Sequence, residues 1–388
     1  MMPISPLSKA TLAVIQTKID EKTKPLGALG ALEPLAVQLA LISEQRRKNH
    51  ADFDSCSSAD KGNGHISIKM PTMLVFAGDH GINEEKLSIA PSEVTQQMLL
   101  NFLQGGAAIN CFCQSNELAL RVIDCGILQA INPNDIAQVD DNSAGVKLIE
   151  QRLGAGTNNF SVGPAMSITQ VEQGFEQAEK LVNAQVAQGV ELLLLGEMGI
   201  ANTSSAAALM SALTCFSVEQ CVGRGTGITD EQLAKKTTLI EHALQRVNLA
   251  DSAAETLNQA EITELLSQLG GFEIVQMVAA ILTAAANTIP VVIDGFIVSV
   301  AALVALRLDK NVANYLIFAH VSEEKAHQLL LSELLAAQTL TKQGGQALLN
   351  LGLRLGEGTG AALAYPLIKA AASFYNHMAS FESAGVTV

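Results

Sequence analysis

Residues 191–203 read ELLLLGEMGIANT. From Glu191 to Leu195 the run is nearly continuous apolar sequence without alternation, which fits a strand buried on both faces. Gly196-Glu197-Met198-Gly199 follows at its carboxyl end, and a helical pattern opens near Asn202 and Thr203. The same design recurs at Met73 to Ala77, Leu118 to Ile123, Ile289 to Ile293 and Tyr315 to Ala319. Short buried strands alternating with helices make a parallel sheet covered by helices. The expected fold class is therefore α/β, a doubly wound, mostly parallel sheet with helices on both faces.

Ser167 with Gln170 and Thr229 with Gln232 have the spacing of a capping box, in which hydroxyl and amide satisfy each other's free backbone N–H groups. Ser92, Asn202 and Ser322 put cap residues at further expected helix starts. Ser8 to Gln45 reads as helices around a Lys24-Pro25-Leu26-Gly27 turn, and the chain after Ser322 is again mostly helical. These two ends are expected to form a small helical domain. The division is then 1–47 for its N-terminal part, 48–69 for a polar loop insertion rich in Ser, Asp, Asn and Gly, 70–321 for the large α/β domain, and 322–388 for a C-terminal helical segment.

The chain has 388 residues and a formal net charge of −14, from 24 Lys and Arg against 38 Asp and Glu. Its densest basic run is only Arg46-Arg47-Lys48, so nucleic acid and acidic lipid surfaces are poor partners. With 48% hydrophobic residues, 4% aromatic and no Trp, the core must be aliphatic. Ile274 to Ile293 carries no charge and is long enough to span a bilayer, but Gln276, Asn287, Thr288 and Pro290 interrupt it. It reads as a buried helix followed by a buried strand. Cys56, Cys111, Cys113, Cys125, Cys215 and Cys221 have neither zinc nor disulfide spacing. The N-terminus has no charged-then-apolar signal pattern, and a cytoplasmic protein with reduced thiols is expected.

Ligands of an open parallel sheet bind outside the carboxyl ends of its strands. There the sequence places Asp79-His80, Asp124-Cys125-Gly126, Gly196-Glu197-Met198-Gly199, Asp294-Gly295 and His320. Three glycine-rich turns, at 154–157, 223–227 and 356–360, allow close backbone approach to a phosphate. No P-loop is present, and no dinucleotide-type glycine motif opens the first strand-to-helix turn. Taken singly, these residues keep two readings. Glu197 and Glu357, each flanked by glycines, fit a helix cap as well as a functional carboxylate. Lys236 fits a solvated helix face as well as a phosphate contact, and Asp79 with His80 fits a structural turn pair as well as a site. His320 with Glu324 or His327 lacks a three-ligand metal pattern.

Read together, the motifs resemble a family. KPLGALGALE (24–33), VFAGDHGI (75–82), GEMGIANTSSAA (196–207), GRGTG (223–227), GGFEIVQM (270–277), PVVIDGF (290–296) and LRLGEGTGAALA (353–364) occur in order across nearly the whole chain. They are similar to the nicotinate-nucleotide:dimethylbenzimidazole phosphoribosyltransferases, glycosyltransferases of cobalamin biosynthesis that assemble the nucleoside loop. The resemblance implies transfer of 5-phosphoribose from nicotinate mononucleotide to 5,6-dimethylbenzimidazole, giving α-ribazole 5′-phosphate and nicotinate with inversion. It implies Glu357 as general base, with Glu197 and Lys236 in support and Lys236 near the phosphate. Gly196, Gly199, Ile200, Ala201, Asn202, Thr203, Gly223, Gly225, Gly356 and Gly358 are carried over as substrate-binding, and Asp79 and His80 join them by their strand-end position. No metal or redox cofactor is implied, and a homodimer is. The base pocket is expected around Ser88 to Met98. Rival readings are a non-catalytic nucleotide or benzimidazole sensor on the same scaffold, and a different phosphate-handling enzyme resting on the glycine turns alone.

Overall fold

The computed structural model describes residues 3–49, 65–132, 134, 145–225, 227–247, 257–340 and 345–387. Six strands, β1 (Thr72–Gly78), β2 (Ala119–Gly126), β3 (Lys147–Glu150), β4 (Leu193–Met198), β5 (Val291–Ile293) and β6 (Leu316–Phe318), form one sheet in the order β3-β2-β1-β4-β5-β6. Every pairing is parallel. The order reverses between β1 and β4, where diverging connections leave a crevice at the strands' carboxyl ends.

The sheet is buried as its apolar runs require: every residue of β1, β5 and β6 is buried. Helices Phe272–Ala286 and Phe296–Leu308 pack on each other and on the central strands. Glu93–Leu103, Ala108–Ser115 and Thr359–His377 supply the other helical cover. The charge-free stretch after Ile274 is the buried helix and strand expected of it. No helix among the described residues is long and apolar enough to cross a membrane.

Helix Leu32–Asn49 packs against Leu12–Asp20 and against Thr359–His377, and Lys22 bridges to Ser380, so the chain's two ends meet. The five described cysteines, Cys111, Cys113, Cys125, Cys215 and Cys221, are free thiols.

Four local expectations change. Strand β3 has no counterpart in the apolar runs, because a four-residue edge strand with solvent on one side needs no continuous hydrophobicity. Strand β4 continues through Gly196 and Glu197 to Met198, pairing Phe76 with Glu197, so Glu197 projects from the sheet itself rather than from a loop. In the 48–69 insertion, Lys48 and Asn49 complete a helix. Ile66 is buried and exchanges two hydrogen bonds with Asn376, while 50–64 lie outside the described residues. The helix expected at Ser322 starts at Lys325, because Ser322 Oγ accepts the Glu324 N–H and the Ser322 N–H is taken by His327 Nδ1. Ser167 and Thr229 do form their capping boxes.

Leu194 lies fully buried on β4 between β1 and β5. Leu194→Ala is expected to destabilise the fold by about 2–5 kcal/mol in urea unfolding; a loss under about 1 kcal/mol would show that the sheet repacks around the gap.

Candidate active site

The carboxyl ends of β4, β5 and β6 open into a cavity of about 540 Å³. Glu197 and Met198 end β4, Gly295 and Phe296 follow β5, and His320 follows β6; the loop 352–357 closes the side. Leu87, Ile200, Phe296, Ile297, Leu353 and Leu355 give the walls an apolar character.

Glu357 lies in a turn whose three central residues, Gly356, Glu357 and Gly358, all have positive φ, of 81°, 64° and 83°. The flanking glycines adopt that conformation freely, whereas a residue with a Cβ is disfavoured by about 1–2 kcal/mol. The turn is pressed onto β4, because a Cβ on Gly196 would lie 2.5 Å from Gly358 N and 2.6 Å from the Glu357 carbonyl carbon. A Cβ on Gly356 would come 2.6 Å from Glu197 Oε1. Helix Thr359–His377 starts immediately after the turn.

Glu197 and Glu357 thus line the cavity side by side, and Glu324 lines it as well. Burial pushes the Glu197 carboxyl up to about 8; the Asn202 side-chain amide donates to its Oε2 and opposes the rise, while the charges of Asp294, Glu273 and Glu357 add to it. Burial, followed by the Asp294 charge, pushes Glu357 up to about 7. Unequal environments of this kind separate the protonation states of neighbouring acids.

Gly199 to Thr203, Gly225, Ser322, Glu324 and Arg354 also line the cavity, and the Asn202 amide there donates to Glu197. Asn202 is the first residue of helix Asn202–Leu213, and Ala201 before it is left-handed with φ 71°. The helix therefore opens on the cavity with no side-chain cap of its own, while its Asn202 and Ser204 N–H groups donate to Gly199 O and Ala201 O. Lys236, from helix Asp230–Val247, is buried behind this wall; its Nζ donates to Thr203 Oγ1 at 2.8 Å and to Gly223 O at 3.4 Å. Burial brings its ammonium down to about 8, and the Glu324 charge acts in the opposite sense.

The site residues expected from sequence fall into two groups. Glu357, Glu197, Gly199, Ile200, Ala201, Asn202, Thr203, Gly225 and Gly356 line the cavity. Gly196, Gly223, Gly358, Lys236, Asp79 and His80 stand behind it. Asp79 accepts hydrogen bonds from Thr95 Oγ1 (2.6 Å) and the Leu128 N–H (2.8 Å), and the Ile200 N–H donates to that same Thr95 oxygen (3.2 Å). Asp79 thus braces the 199–203 segment through Thr95. His80 is sealed between Glu273 Oε1 (2.7 Å) and Ser205 Oγ (3.0 Å), beneath helix Asn202–Leu213. Of the base pocket expected at Ser88 to Met98, Ser88 alone lines the cavity, with Leu87 just before it.

His320, Ser322, Glu324 and Arg354 also line the cavity but carry no role in the sequence reading. The signal for His320 was its place after the last buried strand. Glu324 figures in the sequence only beside His320, and Arg354 stands in the 353–364 motif without a role of its own. His327 fixes Ser322: its Nδ1 accepts the Ser322 N–H at 3.0 Å and its Nε2 pairs with Ser299 Oγ at 3.0 Å. Burial lowers the His327 imidazole to about 3, so it is neutral and both ring nitrogens are engaged.

The Glu197 shift has a consequence for stability. Its carboxyl moves from 4.5 to about 8 on folding, so between those values the folded state holds a proton that the unfolded state has released, and stability falls as pH rises. Glu197→Gln keeps the shape and an acceptor for Asn202. Its melting temperature is expected to gain on wild type as pH climbs through that window; a constant difference would show Glu197 ionised throughout.

Comparison with known proteins agrees with this architecture over its whole length. Residues 4–386 match a family model described as Phosphoribosyltransferase. The nicotinate-nucleotide–dimethylbenzimidazole phosphoribosyltransferase of Vibrio parahaemolyticus is 53% identical over 97% of this chain and 98% of its own length. The enzyme of the same name from Shewanella oneidensis is 52% identical over 99% and 96%. The crystal structure of CobT from Thermus thermophilus superposes with a TM-score of 0.81 at 34% identity, covering 97% of this chain and 99% of that one. The family match over residues 4–386 and identity above half across nearly the whole length of these relatives show that the chain belongs to the nicotinate-nucleotide–dimethylbenzimidazole phosphoribosyltransferase family.

Proposed function

We propose that the protein transfers 5-phosphoribose from nicotinate mononucleotide to 5,6-dimethylbenzimidazole, with Glu357 as the general base. The observation that carries this reading is the Glu357 carboxyl, held in a left-handed turn at the cavity and brought up to about 7. The bond between ribose C1′ and the pyridinium nitrogen breaks, and nicotinate leaves with that bond's electron pair, so the leaving group needs no acid. One nitrogen of the benzimidazole attacks C1′ from the opposite face, which inverts a β-nucleotide into an α-product. The proton on its other nitrogen passes to Glu357. A base whose proton affinity matches neutral pH suits that transfer. The reaction balances without an electron acceptor.

The remaining surfaces fit the two substrates. Phe296, Leu353, Leu355, Leu87 and Ile200 offer an apolar enclosure for the flat base. The start of helix Asn202–Leu213 and Arg354 face the phosphate in this reading. Lys236 supports that end through Thr203, at one side chain's remove from the cavity. Glu197, holding its proton at neutral pH, is placed to donate a hydrogen bond to the ribose. A homodimer in the cytoplasm, without nucleic acid as partner, belongs to the same proposal. So does the division into a large domain at 70–321 and a small one from both chain ends, which the packing of Leu32–Asn49 on Thr359–His377 supports.

Purified protein mixed with nicotinate mononucleotide and 5,6-dimethylbenzimidazole is expected to release α-ribazole 5′-phosphate and nicotinate in equal amounts by chromatography. Glu357→Gln should lower kcat about 10²- to 10⁴-fold. Because the base works ionised, wild-type kcat should fall as pH drops through about 7. Binding of both substrates without turnover at any pH would favour the sensor reading. Lys236→Met is expected to raise KM for nicotinate mononucleotide about tenfold or more while changing kcat less; an unchanged KM would confine Lys236 to the fold.

A further inference from the structure

Asp294 follows β5 and is buried, and its carboxylate reaches across into another element. Oδ2 accepts the Gly358 N–H at 3.1 Å and Oδ1 the Ala361 N–H at 2.9 Å, while the Gly360 N–H contributes a third bond. These donors open helix Thr359–His377, whose N-cap residue, Gly358, has no side chain to satisfy them. The cap is thus supplied from the sheet. His320 flanks the same carboxylate, with Nε2 3.6 Å from Oδ1. The approach depends on Gly360, where a Cβ would lie 2.0 Å from His320 Cδ2 and 2.8 Å from Asp294 Oδ1.

The capped turn begins one residue after Glu357. Its position over β4 is fixed from below by Gly196 and from the side by Asp294, and no bond from Glu357's own side chain is needed to hold it. We infer that Asp294 is a positioning residue for the phosphoribosyl transfer: its carboxyl group anchors the first turn of the helix, so holding Glu357 at the cavity and keeping the two acids within each other's field. The inference rests on Glu357 being the base.

The charged and titratable groups around this point are few. Glu197 faces Glu357 from β4, Asp294 faces it from β5, and His320 stands beside Asp294 after β6. Glu273, paired with His80, lies behind Glu197. Arg354 precedes Glu357 on its own loop, and Glu324 lines the cavity further along. Among these charges Asp294 is the one that moves Glu357 upward, after burial itself. Burial pushes the Asp294 carboxyl itself above the ordinary carboxylate range, and His320 and the helix N–H groups oppose that rise.

Asp294→Asn removes the charge and leaves one oxygen to accept an N–H bond. In the full-length protein kcat is expected to fall about 10²-fold through misplacement of the base, with KM for nicotinate mononucleotide changing far less. The acid limb of the kcat profile should move about one unit toward lower pH, because a neighbouring negative charge has been removed. A purely structural role would lower the rate without moving the limb. Asp294→Ser, a smaller neutral acceptor, makes the same measurement if circular dichroism shows the asparagine variant misfolded. An unmoved limb in a folded variant overturns the inference. Glu357→Gln run in parallel separates the two readings: if it is inactive and the limb of the Asp294 variant stays in place, only the inference falls. If it keeps full activity, the base assignment and the inference fall together.

Discussion

At Gly196 there is no space for even a methyl group, because the peptide joining Glu357 to Gly358 rests against the strand at that point. The rest of the site follows from this contact. It sets a turn from the last quarter of the chain onto the end of β4, one residue away from Glu197 in sequence. Two carboxyl groups from segments 160 positions apart, 197 and 357, thereby meet in one cavity. Glycine is required for two different reasons within a few ångströms. Gly196 gives clearance, whereas Gly356 and Gly358 allow the left-handed backbone that Glu357 itself adopts at some conformational expense. A residue held in a disfavoured conformation persists only where its surroundings over-determine it, and here the strand below, the helix after and Asp294 beside it do so.

The carboxyl cluster would be unfavourable if its members were alike. Burial pushes the Asp294 carboxyl up, and His320 and the N–H groups of a helix start oppose that rise. Glu197 has one amide donor from Asn202 against full burial and three acidic neighbours, and its carboxyl is brought to about 8. Glu357 is brought to about 7. One residue chemistry thus meets three environments: a capped helix start, a single amide donor and an open turn. The differences come from which backbone groups reach each carboxyl, and so from the sheet and helix geometry.

Much of this was legible in the sequence, and the parts that were not have physical reasons. Continuous apolar runs disclosed five of the six strands, because a strand buried on both faces has no other composition available. Lys147–Glu150 escaped because an edge strand shares its composition with loops. Glu197 and Glu357 stood out through their glycines, which mark close backbone approach. The same glycine logic did not separate residues in the cavity from those behind it: Asp79 and His80 sit at a strand end yet turn inward, to Thr95 and Leu128 and to Ser205 and Glu273. Strand-end position fixes where a backbone emerges but leaves the side chain's direction to the following turn. Asp294 was visible as a polar residue after a buried strand, but its partners are backbone N–H groups 64 and 67 residues away, and no local pattern encodes those.

The charge of the whole protein bears on how the proposed substrates would be held. At −14 the overall field repels a phosphorylated nucleotide, but beyond about 8–10 Å physiological salt screens that field. Attraction has to come from groups within the cavity. The helix start at Asn202 and Arg354 supply positive potential at the cavity, with Lys236 one side chain behind. Burial lowers Lys236 to about 8, so an arriving phosphate would strengthen its charged form as it binds. Glu197, Glu324 and Glu357 line the same cavity, so a phosphate would have to be held by the helix start, Arg354 and Lys236 against acids close by, and the net charge of the chain has little part in it.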